Sequence, residues 1–366
     1  MSLAEPRIRY FPRGLPFLHD NLWLMQNEKT GVLLLNLGTP ESPNTKDVRA
    51  YLKEFLNDPY VIDIPAIPRK LLVNGIILNT RPRKSAEAYE KIWTDRGSPL
   101  LIHTRELTEK VKFRLNPDGF GPSVKMAMRY GKPSLPQVLE EFKKEGIESL
   151  VFLPLYPQYS YAASESSIVE FEKEKERILP GATVRVIEDF FSAPGFIEAL
   201  SATLKPVLEK EMPDALLLSY HGVPERQLLK IKKRPDSCCK PGCCDQWGKE
   251  NEKCYRAQSF ETSRLLGKAL GWPAEKTVTA FQSRLGRTKW IEPYTDILLE
   301  EFPKKGVKSL VVASPSFTAD CLETLEEIQL RYRELFLEAG GESFTYVPCL
   351  NSRDDFADAI ANWVKN

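Results

Sequence analysis

Glu140-Glu-Phe-Lys-Lys-Glu-Gly-Ile-Glu-Ser-Leu-Val151 returns 160 positions later as Glu300-Glu-Phe-Pro-Lys-Lys-Gly-Val-Lys-Ser-Leu-Val311, with eight of twelve residues identical. Each copy reads as the end of a helix, a glycine able to stop it, and a short apolar strand. A proline-bearing loop follows each, after Leu155 and after Ala313. A repeated helix-to-strand unit predicts an α/β protein of two similar Rossmann-like halves. Each half is then a parallel sheet flanked by helices, with the active-site cleft between them.

Working outward, residues 1–30 form an irregular extension and residues 31–160 a first half closed by a C-terminal helix at 352–366. Residues 161–345 form the second half. Gly31 to Leu37, Val124 to Tyr130 and Leu150 to Leu155 read as strands of the first half. Thr183–Ile187, Ala215–Tyr220, Thr277–Phe281 and Ser309–Ala313 read as strands of the second. Asn44 or Thr45 can cap a helix running to about Asn57, and Arg96-Gly-Ser-Pro99 breaks the stretch 85–116 into two helices.

The chain has 366 residues, with 51 Lys and Arg against 50 Asp and Glu. That balance argues against a nucleic-acid partner, which would require a basic excess. No apolar run approaches a membrane span, and the start lacks the apolar stretch of a secretory signal. Five of the seven cysteines fall within Cys238 to Cys254. A local cluster without a secretory signal reads as metal or iron–sulfur ligation in a reducing cytoplasm. The insert Ser237 to Cys254 offers Cys238, Cys239, Cys243, Cys244 and Cys254, one more thiol than a four-ligand centre needs. Structural zinc is the alternative to an iron–sulfur cluster.

Only three histidines occur: His19, His103 and His221. His221 stands where the apolar strand Leu216 to Leu218 empties into a Gly222–Pro224 turn, the end of an α/β strand at which ligands bind. A lone histidine is as often a hydrogen-bonding filler as a reagent. A second stretch, Ser314 to Glu327, follows another apolar strand, and Thr318 or Asp320 can cap its helix. Asp320, Glu323 and Glu327 then share one helix face, either as favourable charges at a helix start or as a row of carboxylates able to guide a hard cation or take protons. Between residues 64 and 84, Ile67, Leu71, Leu72, Ile76, Ile77 and Leu78 make an apolar face flanked by Arg69, Lys70, Arg81, Arg83 and Lys84. Such a segment is either a buried helix or an element dipping into a membrane surface.

Leu217 to Arg226 together with Ala319 to Glu327 resembles the ferrochelatase family. Asn36 to Glu41, Met128 to Gly131, Leu155 to Tyr159 and Phe281 to Gly286 with Trp290 extend the likeness over nearly the whole chain from Gly31. The resemblance implies a chelatase-type fold and the insertion of Fe²⁺, a substrate, into protoporphyrin IX with release of two protons, the last step of haem synthesis. It implies His221 as the proton acceptor or an iron contact, Glu323 facing it across the macrocycle, and Asp320 and Glu327 leading away from the site. Arg129, Tyr130, Tyr159 and Trp290 become pocket residues. The 64–84 segment, with Leu71 and Leu72, becomes a hydrophobic lip through which porphyrin arrives from the inner-membrane surface. A 2Fe–2S cluster on four of the five insert cysteines matches bacterial members that hold it internally. The resemblance also implies a cytoplasmic, peripherally membrane-bound protein, and a homodimer is compatible with it. A chelatase for cobalt or nickel is the rival enzyme, disfavoured because related chelatases generally rely on paired histidines. A porphyrin carrier is the non-enzymatic rival and needs no acidic row. His19 and His103 match no motif of the family.

Overall fold

The computed structural model describes residues 3–11, 29–231, 238–240, 242–286 and 288–366; His19 and Ser237 lie outside them. Nine strands form two sheets among the described residues. The first has the order β1-β5-β4-β2-β3, from Arg7–Phe11 (β1), Thr30–Gly38 (β2), Ser123–Tyr130 (β3), Ser149–Pro154 (β4) and Thr183–Asp189 (β5). Its strands run parallel except β1, which pairs antiparallel with β5. The second has the order β7-β6-β8-β9, from Ala215–His221 (β6), Thr277–Gln282 (β7), Ser309–Ala313 (β8) and Ser343–Tyr346 (β9), all parallel.

The repeat takes the same form twice. Helix Leu135–Lys144 stops at Gly146 and helix Thr295–Glu301 at Gly306, both glycines in the left-handed region at φ 70° and 85°. In each, the residue after the glycine donates back across the stop: Ile147 to the Phe142 carbonyl and Val307 to the Phe302 carbonyl, both at 3.0 Å. A side chain other than glycine pays a steric penalty there. The copies differ where Lys143 is replaced by Pro303. Proline cannot donate in a helix interior, so the second α-helix ends at Glu301 and a 3₁₀ turn, Pro303–Lys305, completes it.

Two expectations are corrected. Thr183–Ile187 does not open the second half: β5 pairs with β4 in the first sheet, Ser149 opposite Thr183. The two strands are joined through helix Ser166–Ile178, and a strand–helix–strand connection sets consecutive strands side by side. The start of the chain is not wholly irregular either, because β1 covers the β5 edge, where Arg7 pairs with Asp189 and Arg9 with Glu188.

The chain divides into two compact units. One carries the first sheet, with the described residues of 6–155, 162–189 and 352–366; the other carries the second sheet, with those of 1–5, 156–161 and 190–351. In the first-sheet unit Arg185 of β5 donates to the Trp363 and Val364 carbonyls at the end of helix Asp354–Lys365. In the second, Leu217, Leu299, Val312, Ile328, Phe336 and Phe344 form a continuous buried core. Burying one such side chain is worth about 1.5–3 kcal/mol.

The 64–84 segment is helical: Ala66–Leu71, a wider π-type turn at Leu72–Ile77, then helix Leu78–Ile92. Val73 and Leu78 point inward, whereas Ile67, Leu71 and Ile76 are 75%, 69% and 59% exposed. No described helix is long and apolar enough to cross a membrane.

Candidate active site

β6 outruns its neighbour. It pairs with β7 as far as His221 opposite Gln282, but with β8 only as far as Leu218 opposite Ala313. His221 is the last residue of β6, half-buried, with the Phe317 ring 6.2 Å away. Its Nδ1 lies 2.6 Å from the Gly222 carbonyl. A carbonyl only accepts, so Nδ1 carries the hydrogen of the neutral ring and Nε2 presents the lone pair. Gly222 is required by close approach: a Cβ there would fall 2.7 Å from the Gln282 carbonyl and 3.2 Å from the Trp290 indole. Trp290 is held beside this turn by a bridge to Pro224, and its Nε1 donates to the Leu285 carbonyl at 2.9 Å.

Gln282, not singled out by the sequence, joins the histidine to the acidic helix. It is buried; its carbonyl receives the Gly222 N–H at 2.8 Å, its Oε1 receives the Ser219 hydroxyl at 2.8 Å, and its Nε2 donates to the Glu323 carbonyl at 3.0 Å. The Glu323 carboxylate is half-buried against Cys321, whose thiol is pushed up by burial first and by that charge second. Glu327 receives the Ser283 N–H at 3.1 Å, the Ser283 hydroxyl at 2.5 Å and the Tyr332 hydroxyl at 3.0 Å. Ser283 aims both donors at one carboxylate by adopting a left-handed φ of 64°. Burial, then the Glu327 charge, pushes the Tyr332 phenol up.

The single row of acids expected on one α-helical face is corrected. Asp320 precedes the helix, and Glu323–Tyr332 is wound as a π-helix, so α-helical spacing does not apply. The buried Asp320 carboxylate is committed to the Tyr346 hydroxyl at 2.7 Å, the Asn351 amide at 2.7 Å, the Thr324 hydroxyl at 3.0 Å and the Cys349 N–H at 3.3 Å. It anchors the turn that presents Glu323. The Cys349 N–H is part of that anchor.

Tyr159 is in the same unit: its N–H donates to Gln258 at 2.6 Å and Lys253 lies over its ring at 4.9 Å. Arg129, Tyr130, Leu71 and Leu72 belong to the first-sheet unit. There Asp58, which the sequence did not mark, receives Arg129 Nη2 at 2.5 Å, the Tyr130 hydroxyl at 2.8 Å and the Ser166 hydroxyl at 2.7 Å. Tyr130 is fully buried, and burial above all pushes its phenol up. Leu71 is exposed and Leu72 half-buried; His103 lies beside Glu106 on helix Pro99–Leu115.

The cysteine insert folds around Asn251, whose amide donates to the Cys243 carbonyl at 3.1 Å and the Gln246 carbonyl at 2.9 Å, and whose carbonyl receives the Cys254 N–H at 2.8 Å. The Cys238 and Cys239 sulfurs are 3.8 Å apart, and those of Cys243 and Cys244 3.3 Å. Cys244 and Cys254 are buried and share a hydrogen bond. That bond first, with help from Arg256, lowers the Cys244 thiol to about 6, and it raises Cys254. Burial lifts Cys239 to about 12 and Cys243 to about 11. Among the described residues no three Cys, His, Asp or Glu side chains are gathered into an ion-binding group. The donor chemistry of five thiols, one of them readily ionised, nevertheless suits a thiolate-bound centre.

The family model described as Ferrochelatase matches residues 29–366. The chain is 43% identical over 344 residues to a ferrochelatase of Coxiella burnetii, covering 94% of this chain and 95% of that one. It is 44% identical over 338 residues to one of Legionella pneumophila, covering 92% and 98%. Among solved structures it is similar to SirB of Bacillus subtilis with Fe³⁺, at a TM-score of 0.52 and 10% identity over 92% of this chain and 94% of that one. The sirohydrochlorin chelatase SirB in complex with cobalt gives 0.51 at 11% identity, over the same shares. At such identities these two show the chelatase-type fold alone. The family match and the relatives together establish that the chain belongs to the ferrochelatase family, enzymes that insert iron into a porphyrin for haem synthesis.

Proposed function

We propose that the porphyrin is protoporphyrin IX, that His221 accepts its pyrrole protons, and that Glu323 and Glu327 guide Fe²⁺ or carry the protons away. The free-base ring holds two N–H hydrogens, and iron cannot enter until both leave. Fe²⁺ enters as two protons depart, so a neutral ring yields a neutral iron complex. The ring must also bend to tilt its nitrogen lone pairs toward the metal, strain that binding energy elsewhere on the macrocycle supplies. One observation carries this reading: the Gly222 carbonyl selects the tautomer of His221, so Nε2 presents its lone pair in a turn walled by Trp290. Asp320 supports Glu323 by holding its turn. Tyr159, in the same unit as His221, contributes a further ring contact.

The test is loss of protoporphyrin fluorescence with ferrous iron under anaerobic conditions. Replacing a general base costs typically 10²–10⁴-fold, so His221→Ala is expected to lose at least about 10² in kcat, with Glu323→Gln also impaired. Unchanged turnover in His221→Ala would rule the mechanism out.

Four of Cys238, Cys239, Cys243, Cys244 and Cys254 would hold a 2Fe–2S cluster, with zinc as the alternative occupant. Bound there, the group would supply a cross-link between the segment before Lys240 and the helix beginning at Tyr255. Metal and sulfide analysis with a visible spectrum decides: iron with charge-transfer bands supports the cluster, and a colourless zinc protein refutes it. The exposed Ile67, Leu71 and Ile76, flanked by cations, support peripheral attachment to the inner membrane from the cytoplasm.

A further inference from the structure

Both backbone polar groups of His221 are held by side chains rather than by a neighbouring strand. In a parallel ladder alternate residues point their N–H and C=O to opposite neighbours. The Gly222 N–H turns toward β7, onto the Gln282 carbonyl. His221 therefore turns its own N–H and C=O toward the β8 side, where β8 has already ended at Ala313. Pro315 has no N–H with which to prolong that pairing. Left bare, both groups would carry a desolvation cost. Instead the His221 N–H donates to Ser316 Oγ at 3.0 Å, and the Tyr255 hydroxyl donates to the His221 carbonyl at 2.8 Å. The result is a clamp of two side chains on one peptide residue.

Tyr255 is also the residue after Cys254. It is buried, it opens helix Tyr255–Leu270, and its carbonyl receives the Ser259 hydroxyl at 2.9 Å. The insert's geometry, gathered on Asn251, therefore reaches His221 through one rigid aromatic side chain.

We propose that Tyr255 and Ser316 are positioning residues that aim the His221 imidazole, and that Tyr255 joins the cysteine insert mechanically to that base. This deepens the reading of His221 as the proton acceptor and rests on it. Neither residue touches substrate in the proposal; both act by fixing the backbone from which the imidazole projects.

The experiment compares Tyr255→Phe, Ser316→Ala and Ser316→Thr in the full chain. Misplacement of a reacting group by about 1 Å costs up to about 10²-fold, so a fall in kcat of roughly tenfold is expected for Tyr255→Phe and Ser316→Ala, with KM for protoporphyrin nearly unchanged. Ser316→Thr keeps the hydroxyl and should restore most of the rate. The double variant should lose less than the product of the single losses, because the two residues hold the same backbone unit. The acid limb of the kcat–pH profile should move, and the ¹⁵N ring signals of His221 should shift from a single tautomer toward a mixture. Unchanged kcat and unchanged ¹⁵N signals in Tyr255→Phe overturn the clamp. So does a loss in Ser316→Thr as large as in Ser316→Ala. His221→Ala separates the two readings: if it is inactive while the clamp variants are normal, the clamp fails and the base stands; if it is active, the base fails and the ¹⁵N signals still judge the clamp. For the insert, losses in Cys254→Ser and Tyr255→Phe that fail to multiply in the double variant support the link. Losses that multiply overturn it.

Discussion

Asp58 is one carboxylate gathering three distant side-chain donors, Arg129, Tyr130 and Ser166, besides the local Tyr60 N–H, in the interior of the first-sheet unit. Removing one partner of a buried ion pair strands the other charge, at a cost of about 3–5 kcal/mol. Asp58→Ala is therefore expected to lower the unfolding free energy from urea titration by that order, while Asp58→Asn, which keeps an acceptor, should lose less. Nothing in the sequence marked Asp58, because those three side-chain donors lie 71, 72 and 108 positions away. His221 was legible, since strand, glycine and proline are all local. The hydrogen bond that selects its tautomer was not, because it depends on how the Gly222 carbonyl is turned. Gln282 was quoted as part of a motif, but its bridging position needed the register of β6 against β7.

Elements are tied at their ends by similar devices. Asp214, just before β6, receives the Lys308 N–H, the Ser309 N–H and the Ser309 hydroxyl at the start of β8. The bond from the Lys308 amide, then that from Ser309, hold its carboxyl below the usual aspartate range. A depressed carboxyl stabilises the fold above its unfolded pKa of about 3.9, and that contribution disappears as pH falls through the lower folded value. Asp214→Ala should reduce stability near neutrality and flatten the dependence of the urea midpoint on pH below about 4. The 66–77 helical segment makes a separate prediction. Replacing Ile67, Leu71 and Ile76 with Ser should weaken flotation with anionic vesicles and leave the thermal midpoint nearly unchanged, because all three side chains are exposed. Binding that survives would exclude this face as the membrane contact. The π-winding of Glu323–Tyr332 was not legible: hydrophobic spacing over ten residues does not separate it from an α-helix.

For the chain as a whole, the first-sheet unit is assembled from three separated segments, the last being residues 352–366. Helix Asp354–Lys365 buries Phe356, Ile360 and Trp363 there, and its Trp363 and Val364 carbonyls accept from Arg185. Truncation after Ser352 should leave a buried guanidinium without those acceptors and abolish cooperative unfolding of that unit, seen as a lost calorimetric transition. The α/β class, the repeated helix–glycine–strand unit and the place of His221 at a strand end were determined by the sequence alone, because hydrophobic period, glycine stops and strand-end residues act over a few positions. Only the tertiary structure decided that β5 and β1 complete the first sheet, that Asp320 anchors rather than joins an acidic row, and that Asn251 gathers the insert. Each of those depends on which distant donors and acceptors burial brings within about 3 Å of one another, and local pattern carries no information about that.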